Sequence, residues 1–390
     1  MKRVTTSRIA GAGILALILS SGLSACGSDD DDGAASSGLP ARVTIKALSD
    51  LTGATAFLGK QAENGMRIAL EEINGQKFLG DTRLEIETTD LGSNQQTSAS
   101  EAAKAAADKS VPLVIANTVT PIAAAAAPIM QRQGVPFISS LSGVLGVNLG
   151  EYTYILPTPV QSMQKLAAGY LKSKGTTKLG ILYDSSNATQ QDIAEKIYPG
   201  LADEYGLTIV ETIAVNNNTV DLSAPINKLL GAGADAIFLG VAGAQAATAV
   251  QQAGEHGFTG NFVATAGVAG GVLKPAGKYA IGVTWSNDFS AVSTAERSKS
   301  FTEVYKSKYN GEAPIQGAAY GYDAVWLAAR AIKQANSVNR GDVLKGLQEV
   351  TSGTIDNSPR GGVTFKDRVS YSTGLLVQWD GTKEVAVPQP

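Results

Sequence analysis

Strand-like apolar runs alternate with helix-like amphipathic segments along nearly the whole chain, and this alternation constrains the fold more than any other feature. The series begins with the strand VTIKAL at Val43, followed by a helix whose Met66, Ala69, Leu70 and Ile73 recur at i, i+3, i+4 and i+7. Such alternation indicates right-handed crossovers between parallel strands, with helices covering both faces of the sheet. The sequence therefore predicts an α/β fold.

A second series of the same kind starts after Pro157-Thr158-Pro159. A chain of 390 residues is too long for one ordinary core, so we expect two doubly wound lobes, one after the other. The remaining helices and the late strands GGVTF and GLLVQW are too few for a third domain. They are expected to complete the two lobes, so that the chain crosses between them three times. The predicted boundaries are 42–157 plus 290–368 for lobe 1, and 158–289 plus 369–387 for lobe 2.

The N-terminal segment has the order of a secretory signal. Lys2, Arg3 and Arg8 precede an apolar run at 9–19, which is too short to span a bilayer, and small residues then lead to Cys26. Residues 1–25 are therefore predicted to be a signal peptide. Residues 26–41 carry four consecutive aspartates and no apolar periodicity, which is typical of a disordered tether.

The tetrapeptide LSAC at residues 23–26 resembles the lipobox of bacterial lipoproteins. That resemblance implies cleavage before Cys26 and a diacylglycerol-modified cysteine as lipid anchor on the extracytoplasmic face of the cell membrane. A plain secreted protein with a free thiol is the alternative.

Composition and missing motifs exclude several classes of function. Lys and Arg total 32 against 35 Asp and Glu, which gives a net charge of −3 and no basic surface for nucleic acid. One cysteine and one histidine, Cys26 and His256, cannot build a His/Cys metal site. The chain lacks GxGxxG, GxxxxGK[ST] and GxSxG motifs. We therefore expect no cofactor, no metal and no catalytic residues, and an exported hydrolase is the weaker alternative.

Four loops that follow predicted strands suggest a binding site. In open α/β sheets the ligand crevice lies beyond the carboxyl ends of the strands. The loops there read LTGA, NTVTP, SSLSG and DSSNAT, which are rich in hydroxyls and poor in charge. Hydroxyls and backbone N–H groups at helix N-termini hold an anion but offer no general base. Each Ser or Thr could instead be an ordinary helix N-cap.

The motifs, taken together, resemble those of a known family. LTGATAFLGKQAENGMRIALEEIN, VIANTVTPIAAAAAPIMQRQGVPFIS, ADAIFLG, IGVTW and AAYGYDAVWLAARAI occur in the order found in type I periplasmic binding proteins of the leucine/isoleucine/valine class. The resemblance implies two Rossmann-like lobes joined by a three-strand hinge. It also implies a monomeric substrate-binding component of an ABC importer, with permease and ATPase subunits as partners. A solute-sensing receptor without transport is the alternative.

The resemblance also assigns candidate ligand residues. A hydroxyl at Thr120, with Leu141 and Gly143, corresponds to the grip on the ligand carboxylate, and Ser142 offers a hydroxyl where Gly143 has none. Apolar cover corresponds to Leu58 with the adjacent Phe57. In the second lobe the family's aromatic, polar and acidic contacts fall at Ala188, Thr189, Ala242 and Ala266. Because no acidic residue stands at Ala266 to pair an ammonium, we expect a carboxylate without an α-amine. Branched-chain amino acids and amide or urea-like solutes remain alternatives.

Overall fold

The computed structural model describes residues 38–143, 147 and 150–388. The predicted signal peptide, Cys26 and the tether up to residue 37 lie outside the described residues. The end of the predicted tether is described, and the Ala41 carbonyl accepts a hydrogen bond from the Arg83 N–H at 2.9 Å. Backbone pairing therefore begins just before the first strand.

The described strands and helices alternate as the sequence predicts. The strands are β1 (Arg42–Ser49), β2 (Arg83–Asp90), β3 (Val114–Asn117), β4 (Phe137–Ser139), β5 (Thr153–Ile155), β6 (Lys178–Asp184), β7 (Thr208–Val215), β8 (Ala236–Gly240), β9 (Asn261–Ala264), β10 (Thr284–Asn287), β11 (Ile355–Ser358), β12 (Gly361–Lys366), β13 (Val369–Ser372), β14 (Leu375–Trp379) and β15 (Glu384–Val387). The α-helices are α1 (Ala56–Gly75), α2 (Gln95–Ala107), α3 (Thr120–Gln133), α4 (Val160–Ser173), α5 (Ala188–Asp192), α6 (Tyr198–Tyr205), α7 (Ser223–Gly231), α8 (Gly243–Glu255), α9 (Glu296–Lys308), α10 (Gln316–Ala335) and α11 (Arg340–Val350). None of these helices is long and apolar enough to cross a membrane.

One predicted helix is divided. The segment QQDIAEKIYPGLADEYG forms α5, a π-helical turn over Ile193–Ile197 and α6. Pro199 lies in the first turn of α6 and has no N–H to donate to the turn before it, so regular α-helical bonding stops there. The division places the short helix α5 apart from α6.

The strands form two mixed sheets with the same core order. The first sheet has the order β11-β12-β13-β5-β4-β3-β1-β2, and the second has the order β15-β14-β10-β9-β8-β6-β7. Strands β1 to β5 pair in parallel, as do β6 to β10. Each sheet therefore contains one doubly wound unit, and the two predicted α/β lobes are confirmed.

The chain passes between the two sheets three times, after β5, after β10 and after β13. One assignment differs from the sequence prediction. Strand β13 pairs with β12 in an antiparallel hairpin and with β5 in parallel, so it lies in the first sheet. The prediction placed residues 369–372 in lobe 2. The chain leaves the first lobe only after Ser372, because β13 joins β11 and β12 to the rest of the first sheet through its pairing with β5.

Helices α1 and α10 pack closely against each other in the first lobe, and glycines allow it. A Cβ atom at Gly65 would lie 1.9 Å from the Ala318 carbonyl oxygen, and one at Gly321 would lie 2.0 Å from that of Ala62. Only glycine permits backbones to approach this closely. The buried face of α1 includes Met66, as the periodicity predicts. This contact fixes the first turns of both helices at one edge of the sheet.

Candidate functional site

A cavity of about 560 Å³ lies where the carboxyl ends of the strands of both lobes meet. That volume is within the range of small-molecule sites. Its lining comes from both lobes: Phe57, Leu58, Thr158, Val160, Met163, Gln164, Thr189, Gln190, Ile193, Thr265, Ala266, Gly267, Ala269, Gly270, Val272, Ser286, Asn287, Asp288, Ile315, Gln316 and Tyr320.

The first-lobe wall is built by the first turns of α1 and α10. Phe57 and Leu58 come from α1, and Phe57 leaves 63% of its surface exposed although it is a large apolar residue. Gln316 comes from α10, beside Gly317. A Cβ at Gly317 would lie 3.5 Å from the Leu141 side chain, so Leu141 packs directly behind this wall. The exposed phenyl ring gives this lobe an apolar surface that a ligand can cover.

The second-lobe wall combines small residues with amides and hydroxyls. Thr189 and Gln190 lie on α5, and the Gln190 Nε2 donates to the Thr265 hydroxyl at 3.4 Å. Ala266 follows Thr265 in a short 3₁₀ turn. Ala242 lies against lining residue Gly267, since a Cβ there would be 2.8 Å from the Ala242 Cβ. This wall therefore carries no aromatic side chain to cover a ligand.

The floor of the cavity lies at the hinge, where the three crossings meet at Asp288. One Asp288 carboxylate oxygen accepts from the Thr158 N–H at 2.9 Å and from the Tyr320 hydroxyl at 2.6 Å. The other accepts from the Ser372 hydroxyl at 2.7 Å. Burial raises the pKa of Tyr320, and the charge of Asp288 raises it further, so the phenol stays protonated as a donor. Asp288 thus joins all three crossings in one network.

A buried arginine completes this network. Arg360 Nε donates to Asp323 at 2.7 Å, and its Nη1 lies 3.5 Å from Asp288 and 2.8 Å from the Leu156 carbonyl oxygen. Burial alone would lower the pKa of Arg360, but Asp323 and Asp288 raise it overall. Burial raises the pKa of Asp323. Asp323 therefore holds the arginine in place, which is a structural role.

The loops predicted to grip a carboxylate follow β3 and β4 in the first lobe, and the cavity lining includes none of their predicted residues Thr120, Leu141, Ser142 and Gly143. Thr120 is the first residue of α3, whose N-cap residue is Val119 without a side-chain cap. The Thr120 hydroxyl neither donates a hydrogen bond to another described residue nor accepts one from it. The Ser142 hydroxyl instead donates to the Thr118 carbonyl at 2.6 Å. Gly143 is half-buried and borders residues 144–146, which lie outside the described part of the chain.

The remaining predicted residues are placed as follows. Ala188 begins α5 and is exposed, beside Thr189. His256 lies at the C-terminal end of α8, as the sequence predicts. Asp184 accepts from the backbone and hydroxyl of Ser186 in a local turn. Among the described residues, no group of three His, Cys, Asp or Glu side chains could hold a metal ion.

The sequence did not point to the polar side chains of the floor. Gln164 lies in α4, while Ser286 and Asn287 end β10. The rule that ligands lie beyond the carboxyl ends of strands could have found Ser286 and Asn287, because they directly follow the strand GVTW. Gln164 carried no such signal, since it lies inside a helix.

Comparison with known proteins gives consistent matches over nearly the whole body. A family model described as "Periplasmic binding protein" matches residues 42–383. The Leu/Ile/Val-binding protein homolog 7 of Brucella suis biovar 1 is 27% identical over 376 residues, which cover 89% of this chain and 92% of that protein. The Leu/Ile/Val-binding protein homolog 8 of Brucella abortus is 26% identical over 382 residues, which cover 89% and 90%.

Solved structures share the fold. The substrate-binding protein LivJ of Streptococcus pneumoniae, in complex with isoleucine, has a TM-score of 0.72 at 24% identity and covers 89% of this chain and 99% of its own. A solute-binding protein of an ABC transporter from Rhodopseudomonas palustris BisB5, in complex with 3,4-dihydroxybenzoic acid, has a TM-score of 0.73 at 21% identity, with coverages of 90% and 99%. With a family model that spans both lobes, this chain belongs to the periplasmic binding protein family.

Proposed function

We propose that this chain is the solute-binding component of an ABC importer and that it captures a small organic carboxylate without an α-amine in the cavity between its lobes. The observation that carries this proposal is that helix N-termini without side-chain caps supply part of the cavity lining. No Lys or Arg is among the described lining residues, and Asp288 is the one carboxylate among them. Positive potential for an anionic ligand comes instead from the N-termini of the helices that begin at the cavity.

Three long helices begin at the cavity. The first turns of α1, α4 and α10 supply Phe57, Val160 and Gln316 to the lining. None of these three helices has a side-chain cap at its N-terminus. Free N–H groups and the helix dipole at such ends favour an anion. Asp288 accepts hydrogen bonds from Thr158, just before α4, and from Tyr320 in α10, so its negative charge already lies at those two helix ends. We therefore assign the ligand carboxylate to the N-terminus of α1, which needs no basic side chain to hold it.

A ligand ammonium, in contrast, finds no free acceptor of opposite charge. Asp288 already accepts hydrogen bonds from Thr158, Tyr320 and Ser372, and it lies 3.5 Å from Arg360. Ala266 offers no side-chain acceptor. The unpaired Gln190 Oε1 in the lining is a neutral acceptor, and burying an ammonium without a partner of opposite charge costs several kcal/mol. This argument supports an amine-free acid over a branched-chain amino acid.

The relatives support both ligand classes. The names of the Brucella relatives refer to leucine, isoleucine and valine, whereas the Rhodopseudomonas palustris protein is in complex with a hydroxylated benzoic acid. We expect closure of the lobes about the hinge to follow binding, driven by the ligand's higher affinity for the closed arrangement. Permease and ATPase subunits would then accept the loaded protein.

Calorimetric titration of one series of compounds tests the ligand class. The series contains leucine, its 2-oxo and 2-hydroxy analogues (4-methyl-2-oxopentanoate and 2-hydroxy-4-methylpentanoate), and benzoate. We expect at least one amine-free acid to bind more tightly than leucine. Tight and selective binding of leucine, isoleucine or valine over every amine-free acid would return the protein to the amino-acid class.

We also propose that Cys26 carries a lipid anchor, on the strength of the LSAC tetrapeptide behind an apolar run. Two or more acyl chains are needed for stable membrane attachment, and a lipidated N-terminal cysteine supplies them. In Cys26→Ser the precursor should stay unprocessed or the protein should appear in the medium, as seen by fractionation and mass spectrometry. Unchanged membrane retention and processing would contradict lipidation.

A further inference from the structure

The floor of the cavity differs chemically from its walls. Toward the outside the lining is mostly apolar or small, as in Leu58, Ala269 and Val272. At the hinge, Gln164, Ser286, Asn287 and Gln316 line the cavity together with Asp288. We call Gln164, Ser286 and Gln316 the floor cluster. A ligand that fills the cavity therefore meets hydrogen-bonding groups at its inner end.

Ser286 is the clearest unexplained residue of the floor cluster. It is 3% exposed, and its hydroxyl has no hydrogen-bond partner within the described protein. The neighbouring Trp285 belongs to the second-lobe core, so strand alternation puts Ser286 on the opposite face of β10. Buried polar groups in native proteins are almost always paired, which makes a free hydroxyl in a binding cavity a candidate ligand contact.

The two glutamines of the floor cluster add donors. The Gln164 Oε1 accepts a hydrogen bond from the buried Tyr198 hydroxyl at 3.1 Å. The Nε2 of Gln164 is then the side-chain atom still available to donate to a ligand. The Gln316 Oε1 accepts from Asn287 Nδ2 at 3.2 Å, and its Nε2 remains likewise. Two amide N–H groups and one hydroxyl are therefore available as donors in the lining of the floor. Because the carboxylate of Asp288 lies beside them, a second anion would be repelled there.

We propose that the floor cluster binds an uncharged oxygen, a hydroxyl or carbonyl group, at the end of the ligand away from its carboxylate. This inference rests on the proposed function for the carboxylate end, and it deepens that function by assigning a second recognition point. The solute is then a bifunctional molecule, an organic acid with a distal hydroxyl or carbonyl. Ser286 is the residue that selects for this group.

The test uses acids that differ only by a distal hydroxyl, at two lengths. Benzoate is compared with 4-hydroxybenzoate, and 4-phenylbutyrate with 4-(4-hydroxyphenyl)butyrate, by titration against wild type and Ser286→Ala. We expect the hydroxylated member of at least one pair to bind about tenfold more tightly to the wild type, and Ser286→Ala to remove most of that gain. The parent acid should bind both proteins equally.

Thr302→Val is the matched control, because the Thr302 hydroxyl is also buried and unpaired but lies on α9. It should leave every affinity unchanged. Ser286→Ala should not lower the thermal midpoint, because the deleted hydroxyl has no protein partner. A lower midpoint would indicate a structural role and count against the inference.

The corresponding primary amides, titrated in parallel, separate this inference from the proposed function. If the amides bind and the acids do not, with a gain from the hydroxyl that depends on Ser286, the carboxylate proposal fails and the floor cluster assignment stands. If Ser286→Ala weakens parent and hydroxylated acids by the same factor, the floor holds the carboxylate itself and the inference is wrong. Absence of any Ser286-dependent gain in all pairs also overturns it.

Discussion

Hydroxyl groups that are equivalent in the sequence differ in whether they are available to a ligand. The Ser142 hydroxyl is committed to the Thr118 carbonyl, whereas no described group bonds to the Thr120 hydroxyl. The carboxylate of Asp90 is likewise used within the protein, since it accepts hydrogen bonds from the N–H groups of Leu51 and Thr52. Such differences come from local geometry, and they decide which single substitutions affect binding and which affect stability.

Thr120 does not line the cavity, so replacing it by alanine tests whether the ligand carboxylate reaches the N-terminus of α3. The variant should bind the acid more weakly and keep its fold. If the hydroxyl donates to the ligand carboxylate, its loss removes a hydrogen bond to a charged group, about 1.5–3 kcal/mol or roughly tenfold to a hundredfold in affinity. Stability should hardly change, because Thr120 is not the N-cap of α3. Calorimetry with the tightest-binding acid measures the affinity, and an equal value in the mutant would show that the anion is held elsewhere.

Asp90→Asn should change stability in a pH-dependent way. Burial alone would raise the pKa of Asp90, but hydrogen bonds from the Thr52 hydroxyl and from nearby N–H groups lower it overall, below 3.8. A lowered folded-state pKa contributes stability above the unfolded value and loses it as the pH falls through the folded value. Wild type should therefore be more stable than Asp90→Asn at pH 7, and the gap should close below pH 3.8.

Urea denaturation at a series of pH values measures this gap. Asp81→Asn is the control, because Asp81 forms only an exposed pair with Lys77, 95% exposed on the Asp81 side. Exposed pairs of this kind contribute little. A gap for Asp90→Asn that stays constant down to acidic pH would mean that the charge of its carboxylate does not hold the loop before α1.

At the scale of helices and strands, the cavity depends on how closely α1 and α10 approach. Both helices begin at the cavity, and their crossing fixes where Leu58 and Gln316 stand. The crossing relies on Gly65 and Gly321, at which any side chain would meet backbone rather than a flexible side chain. The position of the first-lobe wall therefore depends on two glycines that contribute no group to the cavity.

Gly321→Ala should destabilise the protein and disturb the first-lobe wall. The new Cβ would lie 2.0 Å from the Ala62 carbonyl oxygen, so the helices must separate, at a cost of about 1–3 kcal/mol. Gly341→Ala is the matched control in α11, where a Cβ meets no atom within 4 Å, and it should be neutral or slightly stabilising. Chemical denaturation compares the two, and equal stability would show that the crossing adapts freely.

Nine of the ten parallel strands, and the helices between them, were predicted from the sequence, because alternation and strand periodicity are local signals. It missed β5, β11, β13 and β15, which have only three or four residues each. Of the predicted ligand residues, Phe57, Leu58, Thr189 and Ala266 are among those that line the cavity, and their contact with a ligand stays a prediction. The floor cluster was missed because distant helix and strand ends form it, and no local pattern records that packing.

At the scale of the whole molecule, the hinge contains a charged network that the sequence does not reveal. Asp288 and Arg360 are 72 positions apart, and both are almost completely buried. Through Asp288 the three crossings share hydrogen bonds, although each belongs to a different part of the chain. Buried charges are stable only when paired and hydrogen-bonded. The stability of the hinge therefore depends on hydrogen-bonding groups from all three crossings.

Ser372→Ala should weaken the hinge from the third crossing. It deletes the hydroxyl that donates to the second Asp288 oxygen at 2.7 Å, so the free energy of unfolding should fall by about 1.5–3 kcal/mol. Ser352→Ala is the control, because the Ser352 hydroxyl donates only to the Glu349 carbonyl on an exposed turn. That change should stay within about 0.5 kcal/mol.

Urea denaturation measures both variants, with small-angle scattering as a second observable. Ser372 is not among the cavity lining residues, so altered lobe separation in Ser372→Ala would arise from the hinge and not from a lost ligand contact. Equal stability and unchanged scattering would show that Asp288 is held sufficiently by Thr158, Tyr320 and Arg360. The third crossing would then be a passive connection, and the hinge network would be confined to the first two.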